Sequence, residues 1–98
     1  MTYQELCEAI KDPSFSSFDN DTELCLWQAQ AEGWEKAHII VESLPEPGAS
    51  WIHAMLHREE GDVGNAMYWY SRARKQMPSD GTTIEQEWHQ IARALLEE

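Results

Sequence analysis

The 98-residue sequence predicts a single all-α domain. Apolar residues recur at spacings of three and four along most of the chain, which is the pattern of helices with one buried face. No segment alternates apolar and polar residues as a half-buried strand would, and glycine or proline separates the helical segments. The predicted helices cover residues 2–11, 22–32, 34–44, 50–60, 63–76 and 83–96.

Start and stop residues bound the first three helices. The first helix ends before Pro13, because the residue preceding a proline avoids helical backbone angles. Asn20 or Asp21 can cap the second helix, and Gly33 is a natural stop for it. The third helix has one apolar stripe, formed by Ala37, Ile40, Val41 and Leu44.

The last three helices follow the breaker "PEPGA". Ser50 is the expected cap of the fourth helix, Gly61 its stop, and Asp62 the cap of the fifth. The sixth helix has the stripe Ile84, Trp88, Ile91 and Leu95. We expect Trp69 of the fifth helix to contact Trp88 of the sixth.

Charge and cysteine content narrow the classes of function. Eighteen acidic residues against seven basic ones give a net charge of −11, which opposes direct binding to nucleic acid phosphates. The scattered acids favour a solvated surface, although a decoy that mimics DNA for a basic partner stays open. No apolar run is long enough to span a membrane. Cys7 and Cys25 lack metal-ligand spacing and suggest free thiols in a reducing cytoplasm, with a bridge between them left open.

Two stretches of the chain share one plan. "AEGWEKAHIIVESLP" (31–45) and "EEGDVGNAMYWYSRARKQMP" (59–78) each contain an acid, a helix-ending glycine, a small residue, an apolar stripe and a terminal proline. Each follows another apolar helix, so the unit is helix, turn, helix. Small residues such as Ala54 and Ala66 allow the two helices of a unit to approach closely.

The second unit resembles the tetratricopeptide repeat family. The matching residues are Gly61, Asp62, Ala66, Tyr70, Ala73 and Pro78. The resemblance is good over 50–78 and weaker over 22–45, and the two glycines are 28 residues apart instead of the family's 34. It implies a short right-handed helical-repeat array, with an N-terminal helix and loop (2–20), helix pairs at 22–45 and 50–78, and a C-terminal capping helix at 83–96.

By the same resemblance, one side of the first helix of each pair forms a groove that binds a protein or peptide. The residues expected there are Trp27, Gln30, Trp51, Met55, Arg58 and Glu59. An indole, a thioether and a guanidinium on one ridge suit apolar anchoring plus recognition of a carboxylate. The alternative is that Trp51 and Met55 pack inside the domain. With five tryptophans in the chain, burial in a homodimer also stays open.

The fourth helix presents His53, His57 and Glu60 within one narrow sector, opposite its main apolar arc. Two imidazoles and a carboxylate could hold a metal ion, which would make the protein a metal-dependent or small-ligand enzyme. The repeat resemblance instead directs the histidines toward the partner helix, with Asn65, Tyr70 or Glu60 as hydrogen-bond partners. A pH-sensitive contact is the third alternative. The sequence favours a protein-binding module without a cofactor, and packing is the favoured role of the histidines.

Overall fold

The computed structural model describes residues 1–97, in which six helices and no strands are present. The helices are α1 (Tyr3–Ile10), α2 (Asp21–Ala31), α3 (Trp34–Val41), α4 (Gly48–Glu59), α5 (Val63–Ala73) and α6 (Ile84–Leu96). The all-α prediction is therefore confirmed. None of the helices within residues 1–97 is long and apolar enough to cross a membrane.

Local capping accounts for most helix boundaries. Asn20 and Asp62 accept the main-chain N–H groups of residues three positions further on, at the starts of α2 and α5. Gly33 and Gly61 have φ angles of 108° and 85°, which explains why glycine follows the ends of α2 and α4. Thr83 forms a reciprocal cap with Gln86 at the start of α6.

Three predicted boundaries are wrong in detail. The third helix ends at Val41, not at residue 44, because the Ser43 and Leu44 N–H groups bond to carbonyls three residues back, as in a turn. Ser50 does not cap α4, because the helix already begins at Gly48; the Ser50 hydroxyl instead donates to Glu46 at 2.6 Å. The fifth helix ends at Ala73, not at residue 76, because Arg74 adopts the left-handed conformation (φ 57°). The Lys75 N–H then bonds back to the Tyr70 carbonyl and closes the helix end.

The helices pack mainly as sequential neighbours, α2 with α3 and α4 with α5, while α6 lies against α4 and α1. The main core lies between α1, α2, α3, α4 and α6. A smaller cluster of Ala54, Ala66 and Tyr70 lies between α4 and α5, so the small residues do meet at this contact.

Three tryptophans tie separate helices together. The indole N–H groups of Trp27 and Trp88 donate to the carbonyls of Ala9 in α1 and Leu26 in α2, each at 2.8 Å. The Trp34 indole donates to the Leu56 carbonyl in α4. Each indole is packed against apolar side chains while its only polar group is satisfied, which fixes the position of the helices it joins.

Candidate functional site: a three-histidine cluster

Three histidines from two helices converge where α3 meets α4. One ligand nitrogen from each of His38, His53 and His57 lies within 4.8 Å of the corresponding nitrogens of the other two. His53 and His57 are only 4% and 6% exposed, whereas His38 is half-buried at the edge. His53 and His57 lie one turn apart in α4, so their rings stack with centroids 4.8 Å apart.

Two tryptophans stack on members of this three-histidine cluster, one on His38 and one on His53. Trp34 lies one turn before His38 in α3, and their rings stack with centroids 4.4 Å apart and 12° between planes. Trp69 of α5 stacks on His53 with a centroid distance of 3.9 Å and an interplanar angle of 15°. His38 and His53 are therefore oriented by flat aromatic contacts, one within α3 and one from α5.

The cluster has one hydrogen bond to a carboxylate. The Nδ1 atom of His57 lies 2.7 Å from Oε1 of Glu60, three residues further along the chain. This contact engages Nδ1 and leaves Nε2 of His57 for another partner. A carboxylate bonded to one nitrogen of a histidine is the arrangement that commonly orients a metal-binding imidazole.

His53 is a buried polar ring without a hydrogen bond. Within residues 1–97, the histidine rings that form hydrogen bonds are those of His57 and His89. Burial, together with the neighbouring imidazoles of His57 and His38, lowers the pKa of His53 from 6.5 to about 4. His53 is therefore neutral at pH 7 and keeps a free lone pair, as a metal ligand requires.

The sequence predicted a ligand set of His53, His57 and Glu60. The structure brings only part of this set together around one point. The two histidines do converge, but Glu60 contacts the His57 ring, and the third converging imidazole belongs to His38. Sequence analysis missed His38 because it lies in another helix and is flanked by apolar residues. Its spacing of four from Trp34 was the available signal, since residues so spaced meet on one helix face.

The structure also corrects the hydrogen-bond partners that the sequence predicted for the histidines. Tyr70 donates to Glu87, and Asn65 donates to Asp62. Of the three predicted partners, it is therefore Glu60 that bonds to a histidine, through the His57 ring. Trp69 stacks on His53 instead of contacting Trp88, because α6 packs on α4 and α1 and its Trp88 bonds to α2.

Two of the six residues expected to form a partner-binding groove lie in the core instead of at the surface. Trp27 and Met55 are core residues, 4% and 1% exposed. Arg58 bonds through Nε to buried Glu87 at 2.9 Å and through Nη1 and Nη2 to the carbonyls of residues 82 and 83. Trp51 is half-buried beneath the Lys75 ammonium group, 4.4 Å from its ring centroid. The remaining two, Gln30 and Glu59, are exposed.

Comparison of the chain with protein-family models, curated proteins and solved structures gives no match.

Proposed function

We propose that this protein binds a divalent transition-metal ion, with Zn²⁺ the first choice, through His38, His53 and His57. The observation that carries the proposal is the convergence of three imidazole nitrogens within 4.8 Å of one another. Zn–N bonds of 2.0–2.1 Å place tetrahedral ligand nitrogens about 3.3 Å apart, so small ring rotations would complete the site. Imidazole ligands also suit copper and nickel, which makes these ions the natural competitors of zinc.

The surroundings of the cluster support metal binding over packing alone. Packing gives His53 no protein hydrogen bond within residues 1–97, and its ring nitrogens keep some contact with solvent, so they are open to an ion. The low pKa of His53 removes proton competition at neutral pH. Glu60 would fix the orientation of His57, as second partners of ligating histidines commonly do.

Zinc titration of metal-free protein, followed by calorimetry and thermal unfolding, tests this function. We expect one ion per chain and, at about 100 times Kd, stabilisation by about 2.7 kcal/mol. His38→Phe should abolish binding while keeping a ring against Trp34. His89→Gln is the matched control, since His89 lies outside the cluster. If wild type shows no stoichiometric binding, or binds no better than His38→Phe, the three histidines only pack and the proposal is wrong.

Protein binding is a second candidate, and the charge distribution of α5 favours an acidic peptide with apolar anchors. Met67 and Tyr68 are 58% and 54% exposed. Arg74 and Lys75 follow the end of α5. Within residues 1–97, the lysine and arginine side chains that form ion pairs are those of Lys11, Lys36 and Arg58, so Arg74 and Lys75 form none. These two cations therefore stay available to a partner's carboxylates although the whole chain is acidic.

A fluorescein-labelled peptide of alternating Asp, Leu, Glu and Phe tests this surface by fluorescence anisotropy. We expect saturable binding that weakens with salt and is lost in the double variant Met67→Glu, Lys75→Glu. Lys11→Glu is the control for a general charge effect. Equal affinity in the double variant would refute this candidate without touching the metal site.

We propose that the helix pairs α2–α3 and α4–α5 form a short tetratricopeptide-like array, supported by their packing as sequential neighbours. The cytoplasm is the proposed compartment, and the two free cysteines support it.

A further inference from the structure

A small pocket lies beside the three-histidine cluster and shares His53 with it. Its volume is about 280 Å³, and its apolar walls are Val41, Leu44 and Ala49. The Trp69 ring that stacks on His53 forms another wall, and the charged lining residues are Arg72, Glu42 and Glu46. This volume is just below the range of about 300–1,000 Å³ that is usual for ligand sites, so the pocket suits a small molecule and not a peptide.

Arg72 is the cationic group of this pocket, and its guanidinium is held in place by aromatic side chains. Its carbon lies 5.3 Å from the Trp69 ring centroid, and Nη1 is 3.4 Å from the Tyr68 hydroxyl. The ion pairs of lysine and arginine side chains within residues 1–97 do not involve Arg72. Its remaining N–H donors can therefore receive an anion, and the fork of a guanidinium matches a carboxylate.

The nearby carboxylates do not neutralise Arg72 by direct contact. Glu46 also lines the pocket, but Oε1 accepts from the Ser50 hydroxyl at 2.6 Å and Oε2 from the Ser50 N–H at 3.3 Å. Glu46 is therefore hydrogen-bonded to the first turn of α4, and it acts on Arg72 only through its charge at longer range. The other lining acid, Glu42, is exposed and screened by solvent.

We infer that the pocket binds a small organic carboxylate, with its carboxylate on Arg72 and its hydrocarbon part against Val41, Leu44 and Ala49. The inference rests on the proposed metal function, because an ion held by three histidines keeps a coordination position for an oxygen of the ligand. The doubly charged ion and Arg72 would together favour an anion over its neutral analogue. The shared residue His53 makes the ion and the anion neighbours.

The test uses protein loaded with Co²⁺, whose visible absorption bands change when an added ligand binds near or on the ion. Benzoate is the probe, benzamide is its neutral counterpart, and inorganic phosphate is the competing anion. We expect benzoate to alter the Co²⁺ bands saturably and to bind at least about ten-fold more weakly to Arg72→Gln, since a charge-assisted pair is lost. Co²⁺ affinity should be unchanged in this variant. Arg93→Gln, at an exposed arginine outside the pocket, is the matched control and should bind benzoate normally.

The outcomes separate this inference from the function on which it rests. Failure of wild type to take up Co²⁺ refutes the metal function and the inference with it. Uptake of Co²⁺ without benzoate binding, or equal benzoate affinity in Arg72→Gln, refutes the inference alone. Equal binding of benzamide or phosphate overturns the assignment to carboxylates.

Discussion

Replacement of Arg58 by methionine should destabilise the fold strongly, because Arg58 anchors the C-terminal helix to α4. Its Nε donates to Glu87 at 2.9 Å, and its other two nitrogens donate to the carbonyls of Thr82 and Thr83. The Glu87 side chain is 1% exposed and that of Arg58 16% exposed. Tyr70 also donates to Glu87, at 2.7 and 2.6 Å to its two oxygens.

The expected loss follows from what the substitution leaves behind. Removing one partner of a buried pair costs about 3–5 kcal/mol, because the other charge stays buried. We expect the lower end, about 3 kcal/mol, since Tyr70 still bonds to Glu87 and Arg58 is partly exposed. With a urea dependence of about 1–3 kcal/mol per molar, the unfolding midpoint should fall by roughly 1–3 M.

Urea unfolding followed by far-ultraviolet circular dichroism measures this loss. The double variant Arg58→Met, Glu87→Gln should recover part of it, because no charge then stays buried without its pair and the amide oxygen still accepts from Tyr70. Arg74→Met is the matched control, since that arginine is exposed and its replacement should change stability by less than about 0.5 kcal/mol. A loss below about 1 kcal/mol for Arg58→Met would refute the anchoring role.

Three further predictions concern the histidine cluster, a close helix contact and the thiols. The folded pKa of His53 is about 4 and its ordinary value 6.5, so the unfolded chain takes up this proton first as pH falls. Stability should therefore drop between pH 6.5 and 4, by up to about 3 kcal/mol, and His53→Phe should flatten this part of the urea-unfolding profile. An unchanged profile would exclude His53 as the source. A Cβ at Gly48 would lie 2.9 Å from Cδ1 of Leu95, so Gly48→Ala should push this methyl group aside and cost less than about 1 kcal/mol in urea unfolding. The penalty should be smaller in a Leu95→Ala background, and equal penalties in both backgrounds would contradict the contact. Burial raises the pKa of Cys25 to about 12, so a thiol reagent at pH 8 should modify half-buried Cys7 first in folded protein and both cysteines in urea. Equal rates for the two thiols in folded protein would show that Cys25 is not protected.

Sequence patterns predicted the helices well and the candidate site only in part. Asn20, Asp62, Gly33 and Gly61 act through neighbours a few residues away, so their roles could be inferred from local sequence. Arg74 lacked such a signal, because a non-glycine residue with positive φ is uncommon at a helix end. The spacing of His53 and His57 likewise identified two members of the cluster on one helix face.

The sequence by itself therefore determined the six helices, the capping roles of Asn20 and Asp62, the stops at Gly33 and Gly61, and the sector of α4 that carries the histidines. Tertiary structure alone decided that His38 completes the cluster, that Trp69 stacks on His53, and that Arg58 pairs with Glu87. Helical periodicity specifies which residues share a face of one helix, but it does not specify which other helix that face meets. These contacts join residues that are 15 to 29 positions apart in the sequence. They therefore depend on how whole helices pack against one another.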